Sequence, residues 1–482
     1  MLKATVCCMS DLQLISIRQL RAGGVNMTEQ ADNRKETVIV DVNDFEFLEN
    51  EQDEKGGLIR PVDTAKMLKA CYWIEFELSR LTMGWVSAAA DWDVKGELVR
   101  MAYLHTEHMK RLRDRFEELP GGAMKDKAWT PAKLSEAFGR LAMAPSLVEF
   151  AAAYRLVVTR LYEQYSWMHD ALDPILEAPT LDQLRLIDID REQLVAWALP
   201  HIRFAYADAP QGQRQAQVWR SYAARLSRIV FDAEQEGKTA IDWPDHPELA
   251  AAGPVPDQPA ADPRYPHVDL TKFKSAMFDP KSPTHDSVKH MVFINASEMS
   301  AAESLTYLYY GVQRMPMSFY HDIARHTWDE VRHSQMGVRR LKQMGYRTED
   351  FSWHPSSGLT PDKLEQTFPE FYSSLTMVME PCSFIKKRKS IDAFKQHGDP
   401  LSSLQSEYDI ADERLHVGFG KKWGAKLFEH IDDFVTAAVV TEKAKRMHLE
   451  KMGYTAGEIN SVLDSFPEFC GFATMDLKYS NY

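Results

Sequence analysis

Two stretches of the chain carry the same five-residue pattern, Asp-Glu-x-x-His, as Asp329-Glu330-Val331-Arg332-His333 and Asp412-Glu413-Arg414-Leu415-His416. Glu and His at i and i+3 share one face of a helix, about 5–6 Å apart at Cβ, so one carboxylate and one imidazole can reach a common ion. Each copy is preceded by lone glutamates in apolar-patterned sequence. Two such helices, each facing a helix that gives one Glu, supply four carboxylates and two imidazoles, the ligand set of a dinuclear metal site inside a four-helix bundle. Zinc-protease chemistry is not expected, because neither copy has the leading His of H-E-x-x-H.

The upstream carboxylates follow from antiparallel geometry, in which two residues at one height are equidistant from the connecting turn. Met315-Pro316-Met317 reads as such a turn, since Pro is disfavoured inside a helix and suits its start. Glu303 and Glu330 lie symmetrically about it, with Glu298 the competing choice. For the second pair, Gln396-His397-Gly398-Asp399-Pro400 is the turn signal, and Glu380 and Glu413 flank it. Glu380 sits in the apolar run Leu375–Phe384, where a charge is costly to bury unless paired or metal-bound. The expected ligands are therefore Glu303, Glu330, His333, Glu380, Glu413 and His416, with Glu298 as the alternative to Glu303.

A lone Glu paired with D-E-x-x-H, repeated once, resembles the ferritin-like superfamily of di-iron carboxylate proteins. The first copy, with Arg332 before His333, is similar to the D-E-x-R-H form of the bacterial multicomponent monooxygenases in that superfamily. The resemblance covers about residues 286–450 and is closest to poorly characterised bacterial ferritin-like proteins. It implies that Asp329 and Asp412 are acceptors for the ligand histidines, which fits the need of a ligating His to have its other ring N–H held.

The surroundings point to chemistry rather than storage. Tyr307 and Tyr310 follow Glu303 at i+4 and i+7, on the stripe expected to face the metals, and His326 precedes Glu330 by one turn as an extra ligand or an acid/base group. Core packing is the plain alternative for the tyrosines. Gly337 and Gly420 stand four residues after His333 and His416, leaving room for a substrate or for close helix contact.

The elements that must position these residues are helical. Apolar residues recur at three and four from about Pro61 to Glu236, and again from about His285 to Gly453, with no convincing alternation that would require a sheet. Between them Pro254, Pro256, Pro259, Pro263, Pro266, Pro280 and Pro283 forbid a continuous helix. The expected fold is all-α, two tandem ferritin-like four-helix bundles joined by a Pro-rich linker: an extension over 1–60, a degenerate bundle over 61–236, the linker over 237–284, the di-metal bundle over 285–453 and a tail over 454–482. In the first bundle Glu107 falls where Glu330 falls in the second, but Lys110 and Val195 stand at the histidine positions and neither ligates a metal. That copy is expected to be empty, with the Lys110 ammonium among Glu75, Glu77, Glu107 and Glu192 in place of the ions. His105 and His108 are off the i+3 face and are not expected as ligands.

A length of 482 residues accommodates two or three domains. The net charge of −13 argues against nonspecific binding to nucleic acid or anionic membrane. The run Lys386-Lys387-Arg388-Lys389 reads as a solvated helix face near a C-terminus. No apolar run approaches the roughly 20 residues of a membrane span. Without a secretory h-region, and with five cysteines in no C-x-x-C spacing, a cytoplasmic location is expected. Met27 reads as a more typical initiator than Met1.

These readings lead to a non-haem di-iron oxidoreductase that uses O2 to hydroxylate or otherwise oxidise a small organic substrate. The metals are two iron ions, with Mn/Fe and Mn/Mn also compatible with carboxylate and imidazole ligands. There is no G-x-G-x-x-G signature for a nicotinamide or flavin, so electrons would come from a separate donor protein or from the substrate. A homodimer is compatible with this reading. The alternative class is a non-catalytic or ferroxidase-type metal-binding scaffold, and a tRNA-modifying hydroxylase is disfavoured by the acidic balance.

Overall fold

A computed structural model of the chain describes residues 59–205, 210–231, 241–249, 252–264, 298–345, 347, 364–430 and 453–463, with isolated residues between 432 and 450. The expected extension over 1–60, the end of the linker, the start of the second helical half and most of the tail lie outside these residues. Helices in chain order are α1 (Pro61–Val86), α2 (Trp92–Glu117), α3 (Ala132–Ala142), α4 (Leu147–Ala171), α5 (Ala178–Asp188), α6 (Arg191–Ala196), α7 (Ala198–Ala205) and α8 (Pro210–Phe231). They continue with α9 (Met299–Gly311), α10 (Met317–Gln343), α11 (Leu364–Ser374), α12 (Glu380–Gln396), α13 (Pro400–Trp423) and α14 (Ala456–Leu463). The described residues contain no strand, so the chain is all-α as far as it is described.

Helix ends follow local chemistry. Asp91 and Asp399 cap α2 and α13 by accepting backbone N–H groups that have no partner inside the helix, Asp399 from Ser402 at 3.1 Å. Gly398, at φ 72°, makes the left-handed step that ends α12 before Pro400 opens α13. Between α11 and α12 the backbone widens into a π-helical turn over Leu375–Met379, in which the Glu380 N–H bonds the Leu375 carbonyl five residues back. Pro381, which follows this turn, has no N–H to give to a regular ladder.

Helix α9 packs on α10 and α11, α10 on α13, and α12 on α13. The first helical half does not stand apart from them. Helix α1 packs on α9 and α2 on α10, and one hydrophobic core runs through both halves. The Phe76 and Tyr320 rings meet edge to face at 5.0 Å. Hydroxyl pairs Ser79–Tyr309 at 2.6 Å and Ser87–Thr306 at 2.8 Å cross the same boundary. Gly84 lets Tyr310 of α9 approach, since a Cβ there would lie 2.7 Å from its ring. The described part of the Pro-rich segment lies along the end of α1, where Val255 N–H bonds Gly84 O and Ala260 N–H bonds Ser87 O. No described helix is long and apolar enough to cross a membrane.

Candidate metal centre

Helices α10 and α13 present the same spacing to each other. His326, Glu330 and His333 stand at i, i+4 and i+7 on α10, and Asp409, Glu413 and His416 do so on α13, which places each triplet on one face. All six are buried. Glu380 and Lys387, also seven apart, come from α12, and Glu298 stands at the N-terminal cap of α9.

Side-chain atoms of His326, Glu330, Glu380 and His416 all lie within 4.8 Å of one another, as do those of Glu298, Glu330 and His333, and those of His333, Asp409 and Glu413. Glu330 belongs to two of these groups, so the residues form two adjoining half-sites with a shared carboxylate. In the first, His326 Nε2 is 2.9 Å from Glu380 and 3.3 Å from Glu330, and His416 Nδ1 is 3.4 Å from Glu330 and 3.5 Å from Glu413. The His326 and His416 rings stack at 3.8 Å between centroids. In the second, His333 Nδ1 is 3.3 Å from Glu298 and 3.5 Å from Asp409. Lys387 Nζ is 2.6 Å from Asp409 and 3.6 Å from Glu298, and it also contacts Glu413.

These donors fit metal ions by a specific test. Glu298 Oε2, both ring nitrogens of His326, His333 Nδ1, both oxygens of Glu380, Glu413 Oε2 and His416 Nδ1 are buried and make no properly aligned hydrogen bond, although they approach one another. One donor atom from each residue of a group lies within 4.8 Å of the others, close enough to share an ion. Unsatisfied buried polar atoms are rare and costly. Here they are concentrated on nitrogen and oxygen ligands suited to iron, manganese or zinc.

The opposite ring nitrogens are held from across the helix pair. Asp329 of α10 lies 3.4 Å from Nε2 of His416, and Asp412 of α13 lies 3.2 Å from Nε2 of His333. Arg325 donates to Asp329 at 2.8 and 3.0 Å, and Arg332 to Asp412 at 3.1 Å. Burial opposes charge on Asp329, but His416 and Arg325 outweigh it and keep its carboxyl well below the usual range. Burial is outweighed likewise at Glu330, held down at about 2 by His326 and His416. At Glu298 burial prevails over Lys387 and pushes the carboxyl up to about 7.

Several expected residues lie elsewhere. Glu303 is not in the cluster: its carboxylate is 2.7 Å from Lys95 Nζ, both fully buried. The turn explains the difference. Helix α9 ends at Gly311 and Val312 is extended, so five residues of non-helical chain precede α10 at Met317. Counted from the helix ends, Glu298 lies thirteen residues from Gly311 (311 − 298) and Glu330 thirteen from Met317 (330 − 317), which puts them at one height. Tyr307 and Tyr310 face away from the cluster, Tyr307 donating to Pro256 O and Tyr310 packing beneath Arg80 and against Gly84. The tyrosine beside the centre is Tyr372 of α11, its ring 6.0 Å from that of His326 and its buried hydroxyl without a hydrogen bond. Gly337 and Gly420 are buried within α10 and α13.

In the first helical half the expected Lys110 arrangement is not found: Lys110 and Glu192 are exposed, and Glu77 pairs with Arg80 at 3.2 Å. Glu75, His105 and His108 meet instead. His105 bridges Glu75 and Tyr154, His108 bridges Glu75 at 3.1 Å and Asp190 at 3.3 Å, and Tyr165 donates to Glu75 at 2.8 Å. Every nitrogen and oxygen of this trio has a partner. Burial opposes charge on His108, but Glu75 and Asp190 outweigh it and raise its pKa to about 9, so an imidazolium supplies the positive charge here.

Residues 216–451, just under half of the chain, match a protein family described as "Protein of unknown function (DUF455)". The match spans every residue of the two half-sites and leaves out Glu75, His105 and His108. No curated protein and no solved structure matches the chain.

Proposed function

We propose that the chain is a non-haem di-iron oxidoreductase that uses O2 to hydroxylate or otherwise oxidise a small organic molecule, on a ferritin-like bundle with a degenerate N-terminal copy. The observation that carries this reading is the set of buried donor atoms without hydrogen bonds, contributed by four helical segments and converging as two half-sites that share Glu330. Glu298, His333, Asp409 and Glu413 would hold one ion and His326, Glu380 and His416 the other. A ferrous pair so held supplies electrons for O2 activation, and manganese suits the same donors.

The chain's own part is positioning and exclusion of water. Asp329 and Asp412 fix the tautomer and direction of the ligand rings, and Tyr320, Tyr372, Phe419 and Trp423 contribute to the surrounding buried core. A half-open cavity of about 640 Å³, lined among others by Lys110, Arg113, Asp114, Asp322 and Trp423, lies near the centre, although none of the proposed ligands lines it. Asp322 is one turn along α10 from His326, and Trp423 two turns along α13 from His416.

The test is O2 uptake by anaerobically Fe(II)-loaded protein supplied with a chemical reductant and a panel of small organic substrates. Uptake that rises with a particular organic compound, and yields its oxidised form, supports the proposal. Uptake that follows only the amount of Fe(II) added identifies a ferroxidase, and no uptake under any condition identifies a scaffold.

A further inference from the structure

The two half-sites differ in that only one of them faces a lysine. Around His326, Glu330, Glu380 and His416 no lysine or arginine reaches the donor atoms among the described contacts, whereas in the other half-site the Lys387 ammonium lies within ion-pairing distance of Glu298, Asp409 and Glu413. Lys387 reaches them because α12 and α13 are antiparallel: it is nine residues before the end of α12 (396 − 387), and Asp409 is nine after the start of α13 (409 − 400). Its side chain is 11 % exposed, so this is not the solvated lysine that the run Lys386–Lys389 suggests.

We infer that Lys387 is a built-in competitor for the second metal ion, so that the centre loads in order, first at His326, Glu380 and His416 and then, more weakly, beside Lys387. This rests on the proposed metal centre and specifies how it fills. An ion entering the second half-site must take Glu413 from the ammonium and then sit close to a fixed positive charge. At such short range like charges repel strongly when water is largely excluded. Three carboxylates and His333 still favour a divalent cation there, so the second site is weakened rather than abolished. Lys387 is a positioning residue in this account, and its effect is on occupancy.

The experiment is anaerobic equilibrium titration of the full chain with Fe(II) alone, repeated for Lys387→Met and Lys387→Gln. The wild type should bind two ions per chain, the second about tenfold or more weaker than the first, and both variants should narrow that gap about tenfold. His333→Ala should remove only the weaker ion. Two ions of equal affinity in the wild type overturn the inference while leaving the metal centre standing, as does a gap unchanged in whichever variant folds. A wild type that binds no Fe(II) instead overturns the metal centre itself.

Discussion

Asp329 reaches across from α10 to the distal nitrogen of His416 on α13, at 3.4 Å, and is held in turn by Arg325 of its own helix. Asp412 makes the reciprocal contact to His333, so each of the two helices orients the histidine of the other. Partners of this kind set ring direction and ligand basicity. Asp329→Asn and Asp412→Asn should each weaken Fe(II) or Mn(II) binding about 10–100-fold with little change in helix content. Anaerobic titration beside circular dichroism checks this, and unchanged affinity in both would mean that the contacts are incidental.

Glu298 and Glu303 separate by different readouts. Glu298→Ala should lose the ion of the second half-site with little change in stability of the metal-free protein, because the residue is at a helix end. Glu303→Gln should keep metal binding and lose about 3–5 kcal/mol of stability, since it removes the carboxylate paired with the buried Lys95. Denaturant unfolding of the metal-free proteins, together with metal analysis, distinguishes the two. The reverse assignment would show that the height of α9 has been misjudged.

Metal should stabilise the fold. An ion bound only by the native state adds about 2.7 kcal/mol when present at 100 times its dissociation constant, so Fe(II) or Mn(II) should raise Tm and a chelator should reverse the gain. Calorimetry of the chelated and loaded protein measures it. Equal Tm in both states would be inconsistent with ions filling a buried site.

The boundary between the helical halves carries a pH-dependent pair. His321 of α10 is 2.6 Å from Glu107 of α2, and although burial opposes its charge, Asp322 and Glu107 raise its pKa to about 9. A raised histidine pKa gives stability that is complete below the ordinary value of about 6.5 and is lost as pH rises through about 9. His321→Gln should therefore cost about 1–2 kcal/mol near pH 6 and little near pH 10. Urea unfolding at the two pH values checks this, and a cost independent of pH would assign the residue to packing alone.

Helical periodicity made the all-α class legible, the i, i+3 rule pointed to Glu330, His333, Glu413 and His416, and the turn at Gln396–Pro400 pointed to Glu380, all of which the fold brings together. Those signals are local. The misplacement of Glu303 came from a loop, since Pro316 marks where α10 begins but α9 already ends at Gly311, five residues earlier. Asp409 does carry a local signal, since it precedes Glu413 by the four residues that separate His326 from Glu330. Lys387 was hidden in a basic run, and only the pairing of α12 with α13 distinguishes it from its neighbours. The joining of the two halves through Ser79–Tyr309 and Lys95–Glu303 depends on contacts more than 200 residues apart, for which no spacing rule exists.

The most direct measurement is the metal content of the full chain after anaerobic exposure to excess Fe(II), in the wild type and in Glu330→Ala, the residue shared by both half-sites. Two half-sites that share Glu330 should take up about two ions per chain in the wild type and lose tight binding at both in the variant. A folded wild-type protein that takes up no Fe(II), or a variant that binds both ions as the wild type does, would contradict that expectation.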